Sequence, residues 1–241
     1  MSQKQIVRNL CKSLRLGSNI SEQYPTIETE SHEDFLIQLL NRELAYREVE
    51  RRNRYLKQAG FEVMKSLEDF SFHDVVLPEK LSLEEVKSES FIDRKENLIL
   101  YGKPGTGKTH LATALGVKAC SQGKQVRFFK TSKLVNLLCE AQAKNVLNKF
   151  LKQLEKIDLL ILDEWGYIPF ERIGTQLLFQ AVSDCYERRS VILTTNLPFN
   201  DWNTIFYDEK LTNAMLDRLV HHGYLIIHDG PSYRLTHSQM Q

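Results

Sequence analysis

The stretch Gly102-Lys103-Pro104-Gly105-Thr106-Gly107-Lys108-Thr109 decides how the rest of this 241-residue chain is read. Its G-x-x-x-x-G-K-T spacing has a mechanical meaning. Gly102, Gly105 and Gly107 let backbone N–H groups turn toward phosphate oxygens, Lys108 reaches the β- and γ-phosphates, and the Thr109 hydroxyl ligates magnesium. Thr106 inside the loop and His110 just past it join the expected nucleotide contacts. The helix N-terminus behind the loop adds its own positive end.

A phosphate-binding loop requires a strand before it and a helix after it, and both are legible. Leu98, Ile99 and Leu100 form an apolar run, while Leu111, Ala114, Leu115 and Lys118 recur at helical spacing. Downstream, Leu159-Leu160-Ile161-Leu162-Asp163-Glu164 predicts a strand buried on both faces, with two acids at its C-terminal edge, where open α/β sheets bind ligands. Asp163 is expected to hold the magnesium shell and Glu164 to orient or deprotonate water. The chain places another strand, Gln125 to Lys130, between the loop strand and the acidic one. That order matches the P-loop branch that activates water and not the one that aims a substrate hydroxyl. Ser190 to Asn196 reads as a further buried strand, ending in an amide able to position the same water.

The rest of the chain is organised around this centre. Gln125 to Lys130 is followed by two helical pieces, Lys133 to Ala143 and Asn145 to Leu154, the second with Lys149, Lys152 and Lys156 off its apolar face. Such a row is either a solvated face or a track for a phosphate backbone. Upstream, Glu33 to Ala59 predicts a long helix with an apolar stripe of Leu36, Leu39, Leu40 and Leu44 and a basic second half. Arg47, Arg51 and Arg54 lie on one face at i, i+4 and i+7. A DNA contact fits them, but Glu43, Glu48 and Glu50 each stand four residues before an arginine, so a solvated, ion-paired helix fits as well. Gly17 to Ser31 reads as a mobile linker, Leu81 to Phe91 as one amphipathic run, and Tyr224 to His228 as an edge strand.

Composition excludes several classes. A net charge of +1 rules out a bulk polycation, so nucleic-acid contacts must be local. Four scattered cysteines with no C-x-x-C pair fit a reducing, cytoplasmic setting, and no run of about 18 apolar residues predicts a membrane span. His221 and His222 suggest a metal, but adjacent histidines on a helix diverge and the sequence offers no evident third ligand; magnesium is the one metal expected.

Taken together, GKPGTGKTHLA, LLILDEWGYIPF, VILTTNLPF, LTNAMLDRL and SYRL resemble the AAA+ ATPases of the IstB and DnaC group, from Phe35 to Arg234. The stretch Leu56 to Phe61 with Leu67-Glu68-Asp69-Phe70 is most similar to IstB, a helper ATPase encoded beside an insertion-sequence transposase. Lys103 and Trp165 depart from the family's usual proline and aliphatic residue without removing a chemical group.

The resemblance implies an α/β fold: a parallel five-stranded sheet flanked by helices, with a helical extension over residues 1–60 for DNA, partner or oligomer contacts and an ATPase domain over 61–241. It implies ATP and magnesium as cofactors, with Gly102, Gly107, Lys108 and Thr109 as Walker A, Asp163 and Glu164 as Walker B, and Asn196 as a sensor. Arg218 matches an arginine finger acting on ATP bound by a neighbouring subunit, and Arg234 falls near a second sensor position. Implied partners are duplex DNA, with Lys149 and Lys152 as contacts, an IstA-like transposase, and copies of the same chain in a ring or helix. The implied activity is assembly-dependent ATP hydrolysis that governs target selection and transposase recruitment. A DnaC-like helicase loader is the nearer rival, and a small-molecule phosphotransferase the more distant one.

Overall fold

The computed structural model describes residues 1–167, 171–206 and 208–236. The last three residues of the LLILDEWGYIPF motif, 168–170, lie outside the described residues. The chain divides into two compact units, residues 1–54 and 55–241.

The first unit holds α1 (Gln3–Ser13), α2 (Ile20–Gln23), a 3-10 turn (Tyr24–Thr26) and most of α3 (His32–Ala59). The expected linker is therefore partly structured: Ile20 and Ile27 are buried, and Arg42 of α3 donates to the Thr26 hydroxyl at 2.8 Å. Gly17 N donates to Glu43 Oε1 at 2.7 Å, an atom that also receives Arg47 Nε at 2.7 Å. The leucine stripe marks the helix but not a covered face, since Leu36, Leu40 and Leu44 are exposed and Leu39 is only half-buried.

The second unit contains β1 (Val75–Val76), α4 (Leu83–Ser88), α5 (Ser90–Asp93), β2 (Asn97–Gly102), α6 (Lys108–Ser121), β3 (Val126–Lys130), α7 (Thr131–Ala143) and α8 (Leu147–Leu154). It continues with β4 (Leu159–Trp165), α9 (Arg172–Ser183), β5 (Ser190–Thr195), a 3-10 turn (Phe199–Asp201), α10 (Asn203–Phe206), α11 (Glu209–His221), β6 (Gly223–His228) and α12 (Tyr233–Thr236). The run predicted over Leu81 to Phe91 is two helices, because Glu89 adopts a left-handed φ of 63° between them.

The sheet order is β1-β6-β2-β5-β4-β3. The five longer strands are parallel, as expected, but among the described residues the sheet has six strands: β1 pairs antiparallel with β6, Val75 opposite His228. Tyr224 to His228 is thus not an edge strand. A two-residue strand has no periodicity of its own, and its pairing is set by the distant partner.

Successive strand residues point to opposite faces, and the two cores follow that period. Leu98, Leu100, Leu159, Ile161 and Ile192 pack with Leu111 and Leu115 of α6 and with Phe91. Ile99, Leu160, Leu162, Val191 and Leu193 pack on the other side with Leu134, Leu138, Leu178 and Met215. Each such fully buried Leu or Ile contributes roughly 1.5–3 kcal/mol. Strands covered on both faces read as continuous apolar runs, which is why β2, β4 and β5 were legible. All three end at one edge of the sheet, where polar residues take over.

Candidate nucleotide-binding site

Strand β2 delivers Gly102 to the phosphate loop, and α6 begins at Lys108. Gly102 runs so close to β6 that an added Cβ would lie 2.2 Å from the His228 carbonyl oxygen, and Gly107 takes a left-handed φ of 88° at the helix N-cap. Only glycine fits both demands. Lys108 is 7% exposed, and its Nζ donates to the carbonyls of Gly102 and Lys103, each at 2.7 Å. Burial pushes its ammonium down to about 8; Asp163 works against that shift and Arg234 adds to it. A buried cation whose hydrogen bonds go to neutral carbonyls is matched to an incoming anion.

The acids sit directly across from the loop. Thr109 Oγ1 donates to Asp163 Oδ1 at 2.8 Å, joining α6 to β4. Asp163 is 2% exposed, and Thr194 Oγ1 on β5 donates to the same oxygen at 2.6 Å. Glu164 departs from strand geometry. Its φ is 59°, and the β4–β5 register shifts between Leu162 and Trp165, so that Asp163 and Glu164 together oppose Thr194. This is a β-bulge, a device that re-aims side chains beside active sites. The Glu164 carboxylate lies 3.4 Å from Lys130 Nζ at the end of β3, and its amide donates to Thr194 Oγ1 at 3.1 Å.

Other expected contacts are distributed unevenly. Asn196 follows Thr195, the residue registered with Trp165, and so stands at the edge that carries the acids. Arg234 lies within electrostatic reach of Lys108, and the neighbouring Tyr233 amide donates to the Gly105 carbonyl at 3.0 Å. Thr106 donates to Lys103 O at 2.8 Å, inside the loop. His110 is bound elsewhere: its Nε2 is 3.1 Å from Ser66 O, and the Phe70 ring stands 5.4 Å from its own. Phe70 closes over Gly107 and belongs to the core on the α6 side.

Arg218 is not brought to this site. Its guanidinium donates to Ala214 O at 2.8 Å and lies 5.1 Å from the Phe179 ring. The end of α11 is tied to the start of β2, where Asn97 Nδ2 donates to Leu219 O at 3.1 Å and Asn97 N to His222 O at 2.7 Å. The phosphate loop leaves the other end of β2, so the five residue steps of that strand put roughly 16 Å between the two edges.

The candidate DNA contacts also separate. Arg47 is engaged with Glu43 and with Arg15 O at 2.8 Å, as part of the first unit's own fold, while Arg51 and Arg54 are exposed on α3. In the second unit Lys149, Lys152 and Lys156 line one shallow concavity with Asn148 and Gln153.

A family model described as IstB-like ATP binding protein matches residues 13–241. The chain belongs to this IstB-like family. It is 40% identical over 205 residues to the insertion sequence IS21 ATP-binding protein of Pseudomonas aeruginosa, covering 85% of this chain and 77% of the relative. Similarity to the insertion sequence IS5376 ATP-binding protein of Geobacillus stearothermophilus is 35% over 219 residues, covering 91% and 87%. Among solved structures, AMPPCP-bound DnaA from Aquifex aeolicus matches at a TM-score of 0.53 and 24% identity, over 68% of this chain and 49% of that one. The fold is thus that of the AAA+ P-loop proteins, and the family is an ATP-binding one.

Three residues of this IstB-like site were not singled out from the sequence. Thr194 bridges the two acids, Lys130 faces Glu164, and His228 sets its Nδ1 3.1 Å from Thr106 O beneath the loop. Burial and nearby Lys108 push His228 down to about 4, against the hydrogen bond to Thr106. It is a neutral support at physiological pH. Each of these acts through a partner distant in the chain, so no local motif marks it. No helix among the described residues is long and apolar enough to cross a membrane.

Proposed function

We propose that the chain is an ATP-hydrolysing helper of insertion-sequence transposition that assembles on duplex DNA and engages its cognate transposase. The observation that carries this reading is the division of the catalytic groups between two edges of one sheet. At one edge Thr109 and Asp163, 2.8 Å apart, offer the hard oxygen donors that suit magnesium. Magnesium bound there would neutralise charge on the β- and γ-phosphates. Lys108 would meet the same phosphates, and Glu164, aimed by the bulge, would orient the attacking water with Asn196 beside it. Arg218 lies at the other edge, too far to serve its own loop, and would complete the site of the next copy.

A finger supplied in trans is worth about 10³–10⁵ in rate, so hydrolysis would follow assembly. Lys149, Lys152 and Lys156 on their concavity, with Arg51 and Arg54 on α3, are the cations that would grip DNA phosphates, a contact with little base specificity. The insertion-sequence origin of the relatives favours a transposase over a replicative helicase as the partner. The DnaA likeness speaks for the fold alone.

The test is subunit complementation. Lys108→Ala and Arg218→Ala are assayed for ATP turnover separately and mixed, with and without duplex DNA. Each alone should be nearly inactive, and the mixture should regain turnover that rises with protein concentration and DNA. Arg218→Ala that hydrolyses like the parent, or a mixture as inert as its parts, would refute the trans arrangement.

A further inference from the structure

Adjacent histidines diverge when both lie on a helix; His221 and His222 would do so only if α11 carried both. It does not. Helix α11 ends at His221, and His222 leaves it with φ −117° and ψ 43°, which brings the two imidazole centroids to 4.2 Å. The third ligand comes from the turn between α9 and β5: Glu187, whose φ of 57° is left-handed, a strained setting for this residue type. One ligand atom from each of Glu187, His221 and His222 lies within 4.8 Å of the others.

We propose that Glu187, His221 and His222 bind a divalent transition metal of the zinc class, at the sheet edge opposite the phosphate loop. His222 Nε2 and Glu187 Oε1 are 3.3 Å apart. Metal–ligand bonds of about 2.0–2.2 Å at tetrahedral angles separate two ligands by roughly 3.3–3.6 Å, so this pair already has the spacing of one tetrahedral edge. Two imidazoles and a carboxylate, with a fourth position left to water, form an N/O donor set suited to zinc, copper or nickel and not to magnesium. The Tyr186 hydroxyl lies 2.8 Å from His221 Nδ1, and its ring packs 6.0 and 5.9 Å from the two imidazoles, so it orients His221 as an outer-shell partner does. Asp217 and Arg218 are the other charges that reach Tyr186. A metal here would clip the α9–β5 turn to the end of α11, the helix that carries Arg218. The site does not depend on the transposition reading, since it rests on three side chains alone.

The test uses the untagged full chain titrated with cobalt chloride as a visible probe, followed by zinc chloride. The expected result is cobalt d–d absorption of tetrahedral type saturating at one equivalent and abolished by zinc. His222→Ala and Glu187→Gln should each weaken cobalt binding by about tenfold or more, and Tyr186→Phe by about tenfold with the spectrum retained. These side chains are at the surface, and unchanged circular dichroism and ATP binding would show that the variants fold. Absence of saturable binding, or binding that survives both ligand substitutions, would overturn the proposal. In that case Glu187 and His222 are only a hydrogen-bonded pair.

Discussion

Lys108 carries a charge that the fold alone does not favour, and replacing it should separate stability from function. Burial holds its ammonium at about 8, against 10.5 for an ordinary lysine. At 1.36 kcal/mol per pKa unit, keeping it charged costs about 3 kcal/mol at pH 7. Lys108→Met removes that cost but strips a donor from the Gly102 and Lys103 carbonyls, a loss of about 1 kcal/mol each. The nucleotide-free variant should therefore be more stable than the parent at pH 7 by roughly 1 kcal/mol. The sign of the pH dependence is sharper. Between about 8 and 10.5 the unfolded lysine holds a proton that the folded one has released, so the parent gains stability as pH rises through that window. The gap should close by roughly 1 kcal/mol between pH 7 and pH 9, the worth of one pKa unit. Urea denaturation followed by tryptophan fluorescence isolates the relevant unit, because both tryptophans, Trp165 and Trp202, are buried in the sheet's core. Saturating ATP should then stabilise the parent and leave Lys108→Met unmoved. A variant less stable than the parent at pH 7, or a gap that ignores pH, would refute the account of Lys108 as a strained cation.

Two other substitutions test the groups around the sheet. Glu89 is 2% exposed with both carboxylate oxygens unpartnered, and burial raises it to about 8 against the pull of Lys118 and Lys124. Its folded state holds the proton more tightly than the unfolded state, so stability falls as pH rises from 4.5 to 8; Glu89→Gln should be near neutral at pH 5 and stabilising by a few kcal/mol at pH 8.5, read from urea midpoints. Thr194→Val keeps the side chain's shape but removes the donor to Asp163 and the acceptor for the Glu164 amide. It should cost about 1–3 kcal/mol in urea and reduce ATP turnover more than ATP affinity.

The parts of the site legible in sequence are those whose chemistry is local. A phosphate loop needs its glycines, lysine and threonine within eight positions, and a doubly covered strand announces itself by an unbroken apolar run before its acids. What escaped is set by partners far along the chain. Strand β1 exists because β6 offers it an edge, and Thr194 matters because β5 lies between β2 and β4 in the sheet. Glu187 and His222 are 35 residues apart and meet only because α9 and α11 end at the same edge. The stripe on α3 failed in the opposite direction: helical periodicity found the helix, but Leu36 and Leu44 remain 53% and 61% exposed within this chain. Periodicity reports which residues share a face, not what covers it.

The bulge at Glu164 shows how one irregular residue makes two adjacent acids unlike. In β4, Leu159 and Ile161 belong to the core on the α6 side, while Leu160 and Leu162 belong to the opposite core. Regular alternation would send Asp163 toward α6, Glu164 into the opposite core and Trp165 back toward α6. The first step holds, and Asp163 meets Thr109 of α6. Trp165 nevertheless packs with Leu160 and Leu162, on the side that parity forbids. One extra residue restores that parity, and Glu164 is the residue inserted. Its left-handed φ costs on the order of 1–3 kcal/mol, offset by full burial of the Trp165 ring against Trp202 and Phe206 at centroid distances of 5.3 and 5.6 Å. Glu164 is thereby kept out of an apolar core where its charge would be far costlier, and is held 41% exposed at the sheet edge beside Lys130. Asp163 is left buried among hydroxyl donors. Trp165, fully buried with Leu160 and Leu162, is the side chain whose packing offsets the strain at Glu164.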